Sequence, residues 1–422
     1  MIATLLPFAI TALATTALPQ SLVAQSPSRD TTTPPAAQFT FAYTGTLLTN
    51  AAGGISRGSL FQNAALIEST INLQRLIGWK SAQVFVSMLG TTGPSPDQFV
   101  GDMQGVLSTT APPGLRLEEA WLEQDLLRNH LSLLAGRYDI NTEFYRLQSS
   151  GIFLNSSFGI GPELSLSGVE GPSTYPFTAL GGRVAYKPTR NTVLRVAILD
   201  GIPVDRPDGG MHPFARGDGA FAISEFAILS RPDTGAVIHD RRFIIGRRHP
   251  RPYAAKIAIG AWGYSMKLPD LADTLPNGLP VLHSPSGGAY LIADGVVWHS
   301  PNRTRELAMF GQLGFGDPAV QRVERYTGAG VALTGPFSRR LSDQIGLAVA
   351  SARIGEPYRH GQHAAGIPTS SPETAIELTY VANVASWIGL HADLQYIMQP
   401  GGVISLRNAL VPALQVGVSQ TF

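Results

Sequence analysis

The chain has 422 residues, with 31 basic and 30 acidic side chains, a formal net charge of +1 and no cysteine. The balanced charge gives no support for a nucleic-acid partner, and the lack of cysteine excludes disulfides, thiolate metal sites and a lipoprotein anchor. Only 14 % of the residues are charged, yet no uninterrupted apolar run beyond the N-terminus has the length of a membrane-spanning helix.

The N-terminal segment indicates export. Residues 2–17 form an apolar stretch that is too short for a membrane anchor, and Ala24 precedes a plausible cleavage point, although no basic residue comes before Arg29. We therefore predict a signal peptide over residues 1–24. The Ser/Thr/Pro-rich segment 25–38 is predicted to be a disordered tether, followed by a single domain over residues 39–422.

From residue 39 onward, segments of alternating apolar and polar residues predict sixteen β-strands in an all-β, antiparallel, up-and-down transmembrane barrel. The predicted strands are 39–49, 62–75, 80–90, 115–126, 131–138, 178–187, 192–200, 220–229, 254–264, 287–298, 305–315, 323–334, 344–354, 373–383, 388–398 and 410–422. A closed barrel cannot be divided into halves that each satisfy their edges, which is why one domain is expected.

The predicted connections alternate in length. Tight turns fall at the sequences IGW, LRN, PTR and VAS, and long loops at 91–114, 139–177, 201–219, 265–286 and 355–372. Short periplasmic turns and long extracellular loops are typical of outer-membrane barrels. The connection 230–253 breaks this pattern, because it is long and basic where a short turn is expected. It is either an insertion or a missed pair of strands.

The last strands show the alternation most clearly. Apolar residues occupy positions 390, 392, 394 and 396, whereas His391, Asp393 and Gln395 fall between them, and Glu377 alternates with apolar residues in the preceding strand. In a soluble sheet the apolar face would be the core; in an outer-membrane barrel it would face lipid, with the polar face lining a lumen. The C-terminal aromatic Phe422 favours the barrel.

The same alternation predicts further lumen residues. Glu119, Trp121 and Glu123 share one face of their strand. An aromatic ring beside carboxylates suits a sugar, whose C–H groups stack while its hydroxyls donate to the carboxylates. The alternative places Trp121 in an interfacial aromatic girdle and both Glu residues near a turn.

Three more ionisable residues, Arg183, Arg195 and Asp294, alternate with apolar neighbours and are predicted to face the lumen. An arginine facing lipid near the bilayer centre would cost about 2–4 kcal/mol, so the inward orientation is favoured. The cations Arg183, Arg195 and Lys256 oppose the predicted lumen carboxylates. This balance of charges indicates weak selectivity between cations and anions.

The segment RYDINTEF places Arg137, Asp139 and Glu143 where a strand ends and the longest loop, 139–177, begins. If this loop folds into the barrel, these charges form an eyelet that orients polar solutes. The alternative is an ion pair that fixes the loop to the wall, and both can hold together.

Several stretches resemble the carbohydrate-selective porins of the OprB type. They occur in the order of that family and cover most of residues 60–422: RLEEAWLEQDLLRNHLSLLAGRYDINTEF, NSSFGIGPELSLSGVEGPSTYPFTALGGRVAYKP, SGGAYLIADGVVW, MFGQLGFGDP, YTGAGVALTGPF and ELTYVANVASWIGLHADLQYIMQPGG. The resemblance implies a sixteen-stranded barrel in the bacterial outer membrane that admits monosaccharides and small polyols by passive diffusion. Its weakest parts are residues 91–114 and 201–253, so the individual sugar does not follow from it.

Motifs for catalysis are missing from the sequence: it has no Gly-x-Ser-x-Gly elbow, phosphate loop or His-Glu-x-x-His. His360 and His363 could bind a metal, but a solvated loop is the favoured interpretation. We therefore predict a porin that is not an enzyme and has no cofactor, whose partners are sugars and outer-membrane lipid, with homo-oligomerisation left open. The alternatives are an outer-membrane scaffold or polysaccharide-export barrel and, more weakly, a membrane-embedded hydrolase.

Overall fold

The computed structural model describes residues 35–203, 214, 217–230 and 253–422, and within these ranges the chain forms a closed barrel of sixteen antiparallel strands. The predicted signal peptide and most of the predicted tether lie outside the described residues. The wall strands are β1 (Ala37–Asn50), β2 (Gly58–Asn72), β3 (Ala82–Thr92), β4 (Gly114–Leu126), β5 (Leu131–Tyr138), β6 (Ala179–Thr189), β7 (Thr192–Asp200), β8 (Ala220–Leu229), β9 (Ala255–Tyr264), β10 (Ser286–His299), β11 (Glu306–Gly316), β12 (Val323–Thr334), β13 (Gln344–Ile354), β14 (Glu373–Ala385), β15 (Ile388–Met398) and β16 (Arg407–Thr421).

Closure of the sheet satisfies every strand edge. Strand β1 pairs with β2 on one side and with β16 on the other. Strands β8 and β9 pair directly, with Leu229 opposite Lys256, so the wall continues from one to the other without a strand between them. The long connection predicted at 230–253 is therefore an insertion between paired strands, and residues 231–252 of it lie outside the described residues.

The two faces of the wall differ as the alternation predicts. On β15, Leu390 and Leu394 are exposed on the outer face, whereas His391, Asp393 and Gln395 are buried on the inner face. An apolar outer band suits lipid, and strands supply it at every second residue. No helix in the described part of the chain is long and apolar enough to cross a bilayer.

One predicted strand end is wrong. The strand predicted to reach residue 75 ends at Asn72, whose side-chain oxygen accepts a hydrogen bond from the Arg75 amide and caps a short helix, α1 (Leu73–Ile77). Gly78 ends that helix with a φ of 79°, a left-handed conformation that glycine adopts without strain. The tight turn predicted at IGW is consequently a helical connection.

The connections on the opposite side of the barrel carry additional elements. The loop from β9 to β10 contains a two-stranded hairpin, and the short strand Ala52–Gly54 pairs with β16. Counting both sides of the barrel, the described residues contain, besides the wall strands and Ala52–Gly54, the following elements: α1, α2 (Asp97–Val100), α3 (Pro162–Ser165), α4 (Glu356–Ala364), the hairpin strands Leu268–Thr274 and Pro280–His283, and the 3₁₀ turns Leu127–Asn129, Ile140–Thr142, Ser149–Ile152, Ser156–Phe158 and Pro400–Gly402.

The loop between β5 and β6, residues 139–178, folds into the barrel and forms a core there. Its Phe153 and Phe158 are buried and contact the inward-facing Phe310, with ring centroids 5.7 and 5.9 Å away. Small residues on the inner face of β13 make room for it: a Cβ added at Gly346 would lie 2.6 Å from the Ile152 side chain. This loop, called the inward loop below, therefore packs against the wall instead of hanging in an open lumen.

Candidate functional site

The inward loop is attached to the wall where it begins. Glu119 on β4 accepts a hydrogen bond from the Asp139 amide at 3.0 Å and another from the Trp121 indole at 3.0 Å. Trp121 stacks on Phe85 with ring centroids 5.1 Å apart, and only 3 % of its surface is exposed. The ring lies inside the barrel and not in a girdle, and stacking of Trp121 on a sugar stays a prediction.

Arg183 on β6 connects the wall to the loop. Its Nη2 lies 2.7 Å from Glu123 Oε1 on the wall, and its Nε lies 2.8 Å from Glu143 Oε2 on the inward loop. Its Nη1 donates to the Ser132 hydroxyl at 2.8 Å, so all the nitrogens of the planar guanidinium are used. Burial opposes the charge of Glu143, but Arg183, with Arg195 adding to it, holds the pKa of that carboxyl below its ordinary value.

A second attachment lies on β8. Glu225 accepts hydrogen bonds at 2.9 Å from the Tyr145 amide, the Lys256 ammonium and the Tyr290 hydroxyl. Lys256 also donates to the Arg146 carbonyl of the loop at 3.0 Å. Arg195 is further away, at 3.9 Å from Glu225. The charges at this point fix the backbone of the loop beside the wall.

Asp294 on β10 binds the next turn of the inward loop. It accepts hydrogen bonds from the Gln148 amide at 2.6 Å and the Ser149 amide at 3.1 Å, and it also binds the Ser149 hydroxyl. A carboxylate that accepts several N–H donors forms charge-assisted bonds, which are stronger than neutral ones. Asp294 therefore fixes the loop at a point on the wall distant from Glu119.

The last attachment is formed by β14 and β15. Glu377 accepts hydrogen bonds from the Leu154 amide at 2.6 Å and the Asn155 amide at 3.0 Å. Gln395 accepts from the Asn155 side chain at 3.1 Å and donates to Asp393 at 3.0 Å. His391 is buried on the same inner face, where it bonds to the Thr379 hydroxyl. The C-terminal strands thus hold the middle of the loop.

The structure places Arg137 differently from the prediction of a lumen residue. In the strand register Arg137 lies opposite Ala120 and Leu180, which belong to the outward-facing sets of β4 and β6. Its Nε donates to the Thr178 hydroxyl at 2.9 Å, at the long-loop end of β5. The reason is the period of two: Tyr138 points inward, so its neighbour points outward.

Glu163 in α3 is a buried carboxyl of the inward loop. Its Oε1 accepts a hydrogen bond from the Tyr145 hydroxyl at 2.9 Å. Burial raises the pKa of Glu163 from 4.5 to about 7. The carboxyl lies against Gly314 of β11, where a Cβ would approach Glu163 Oε1 to 1.9 Å. Glycine is required at this point because the loop comes so close to the wall.

A second loop, residues 93–113, meets the inward loop. Glu373 on β14 accepts hydrogen bonds from the Met103 and Gln104 amides at 2.8 and 3.0 Å. The backbones of the two loops bond to each other, through Ser108 N to Leu154 O at 2.7 Å and Ser156 N to Gly105 O at 2.8 Å. A cavity of about 370 Å³ lies between these loops and β4.

No group of three or more metal-ligating side chains occurs in the described residues. His360 and His363 both lie in α4. His363 Nε2 is 3.1 Å from the carbonyl oxygen of Thr369, a hydrogen-bond partner within the same loop. This local bond gives His363 a structural role.

Sequence reasoning missed two attachments, Glu225, which holds the inward loop, and Glu373, which holds the second loop. Glu225 could have been found from the sequence, because it is the one ionisable residue in the apolar strand AFAISEFAIL. Glu373 stands at the first position of its strand, where alternation gives weak guidance. Both carboxylates accept hydrogen bonds from backbone amides of a loop, and no residue type reveals such partners.

Comparison with known proteins decides the family. The family model described as "Carbohydrate-selective porin, OprB family" matches residues 62–419. The chain belongs to this family. It is accordingly a carbohydrate-selective porin of the bacterial outer membrane, as the sequence predicts.

Individual relatives agree with this assignment. The chain is 23 % identical to Porin B of Pseudomonas aeruginosa over 408 residues, which cover 90 % of this chain and 86 % of that protein. A high-pH structure of Pseudomonas putida OprB superposes with a TM-score of 0.79 at 21 % identity, covering 91 % of this chain and 94 % of that one. The channel DcaP of Acinetobacter baumannii gives a TM-score of 0.52 at 9 % identity, with 91 % and 97 % covered. These structural similarities confirm the sixteen-stranded barrel.

Proposed function

We propose that this porin passes monosaccharides and small polyols by passive diffusion, and that its two inward-folded loops set the width of the passage. The observation that carries the proposal is the attachment of the inward loop at several points around the wall, by Glu119, Arg183, Glu225, Asp294 and Glu377. A loop fixed at several points narrows the barrel permanently. Selection then follows from width and hydrogen-bond placement, without energy coupling.

The cavity between the two loops has the chemistry that a neutral polyol requires. Its lining includes the carboxyls of Asp102, Glu118, Asp139 and Glu170, which are acceptors for sugar hydroxyls. Tyr175 and Phe177 supply aromatic faces for C–H groups. Its volume of about 370 Å³ falls in the range of small-ligand sites, about 300–1,000 Å³. We infer that the sugar path runs through this cavity.

The raised pKa of one lining residue suits a neutral solute. Burial, with the nearby carboxyls of Glu373 and Asp97, raises the pKa of Asp102 well above its usual value. The uncharged form of Asp102, which both donates and accepts hydrogen bonds, therefore persists to higher pH than in a solvent-exposed Asp. A lining that combines donors and acceptors fits hydroxyl groups better than it fits ions.

Filling the cavity tests this proposal. Ser165 lines the cavity from the end of α3, so Ser165→Trp should block it and strongly reduce glucose-driven swelling of liposomes that contain the protein. The control is Ser338→Trp, an exposed position in the β12–β13 connection at the other end of the barrel, which should leave glucose flux unchanged. Unchanged flux in a correctly folded Ser165→Trp barrel would show that sugar takes another path.

Alternative functions make different predictions in the same assay. An outer-membrane scaffold or polysaccharide-export barrel would give no swelling with any small sugar. A membrane-embedded hydrolase would convert its substrate, whereas we propose that solute leaves the channel unchanged. Lipid contact through the apolar outer face is part of the proposal, and homo-oligomerisation stays a prediction.

A further inference from the structure

An arginine pocket lies on the outer face of the hairpin β12–β13. Along this pair the outward residues directly opposite each other are first apolar, Ala329 with Val349, and then hydroxylic, Thr327 with Ser351. The last pair, at the end that carries the long loops, is Arg325 with Arg353. The hairpin therefore changes from apolar to cationic in two steps along its lipid-facing side.

Two like charges directly opposite each other on neighbouring strands destabilise a sheet. Only one of the pair is compensated among the described residues: Arg353 Nε lies 2.5 Å from Glu324 Oε1, whereas Arg325 has no such partner there. A third cation, Arg359 of α4, lines the same pocket, and its Nε is buried without a hydrogen-bond partner in the described part of the chain. The pocket holds three guanidinium groups against one carboxylate.

The shape and remaining polar groups suit a tetrahedral anion. The pocket has a volume of about 280 Å³ and is lined by hydroxyls as well as by the three arginines. The Ser371 hydroxyl already accepts the Ile354 amide at 3.0 Å, which leaves its own hydrogen free to donate. Planar guanidinium groups and hydroxyl donors that line one pocket provide the hydrogen-bond donors that recognise phosphate.

We propose that this pocket binds a phosphate group on the headgroup of a lipid in the outer leaflet of the outer membrane. Long loops mark the extracellular side of such barrels, so the pocket lies at the outer leaflet. The exposed apolar residues Val349 and Leu347 continue from it along the same face of the hairpin. A lipid whose phosphate binds the arginines would therefore place its acyl chains against that apolar surface. A free phosphate ion cannot make this second contact.

Lipid retention tests the proposal. The full-length porin in phosphatidylcholine nanodiscs would be titrated with bisphosphorylated lipid A, with the same lipid after removal of both phosphates, and with inorganic phosphate. We expect tight binding of the first probe alone. Replacing Arg325, Arg353 and Arg359 together by Gln should weaken it by about tenfold or more, since the loss of a single charge-assisted bond already contributes about that factor.

Two further variants keep the test decisive. Glu324→Gln removes the carboxylate that competes for Arg353 and should tighten binding of bisphosphorylated lipid A. The matched control replaces Arg190, Arg303 and Arg339, exposed residues in turns at the opposite end of the barrel, by Gln and should change nothing. The proposal would be overturned if the porin bound lipid A equally well with and without its phosphates, or bound inorganic phosphate as tightly as bisphosphorylated lipid A. It would also be overturned if Glu324→Gln bound bisphosphorylated lipid A more weakly, or if the control variant lost as much affinity as the triple variant.

Discussion

Replacing Arg183 by Met should release the inward loop from the wall. The change keeps an unbranched apolar side chain but removes the guanidinium that joins Glu123 of the wall to Glu143 of the loop, at 2.7 and 2.8 Å. All three side chains are almost completely buried, so solvent does not screen the loss. Removing one partner of a buried ion pair costs about 3–5 kcal/mol.

That cost predicts a large change in loop opening. A loss of about 3–5 kcal/mol multiplies the equilibrium constant for unseating the loop by about 10² to 10³ or more, since 1.4 kcal/mol corresponds to a factor of ten. Hydrogen exchange of peptides from residues 139–160 should accelerate by about this factor, while exchange of the wall strands stays slow. Single-channel conductance should rise, because the loop no longer narrows the lumen.

Two controls identify the cause. Arg190→Met removes an exposed arginine in the β6–β7 turn and should leave loop exchange unchanged. Adding Glu143→Gln to Arg183→Met should restore part of the protection, because it removes one uncompensated charge. Faster exchange throughout the barrel, with no preference for the loop, would refute the argument and show that Arg183 supports the wall itself.

Two further predictions concern the contact between Glu163 and Gly314. Burial raises the pKa of Glu163 to about 7, so the neutral carboxyl is the form that the folded loop favours. The stability that this neutral form contributes is complete below about pH 4.5 and is lost as the pH rises through 7. The thermal unfolding midpoint of the wild type in detergent should therefore decrease as the pH rises from 5 to 8. The Glu163→Gln variant should show a smaller decrease. An equal decrease in both proteins would contradict the assignment of this pH dependence to Glu163. Gly314→Ala places a methyl group 1.9 Å from Glu163 Oε1 and should lower the free energy of urea unfolding by about 1–3 kcal/mol. The control Gly311→Ala, with open space around the added methyl group, should have little effect. Equal losses of stability in the two variants would refute the close contact.

The strands could be predicted from the sequence because side-chain alternation is a local property. The pattern around His391 and Asp393 predicts which residues face inward, and the structure places both on the inner face of β15. The same rule, applied to Tyr138, would have placed Arg137 outward. The prediction for Arg137 used its position beside the loop instead of its phase in the strand, and for that reason it was wrong.

The partners of the inward residues could not be predicted, because they are distant in the sequence. Asp294 binds the amides of residues 148 and 149, and Glu377 binds those of residues 154 and 155. The sequence interpretation left two roles open for the charges near the loop, an eyelet and an ion pair that fixes the loop. In the structure Glu143 pairs with Arg183 of β6, a residue that the sequence interpretation did not place beside the loop. A direct contact of these residues with sugar stays a prediction.

The loop-narrowed barrel is proposed to select small sugars by width and hydrogen bonding. Swelling rates of liposomes that contain the purified porin test it most directly, with glucose compared against a disaccharide and a zwitterion of similar size to glucose. We expect the fastest swelling in glucose, and a smaller difference between the glucose and disaccharide rates in Arg183→Met. Equal rates for all three solutes in the wild type would contradict selection, and no swelling in any of them would contradict transport.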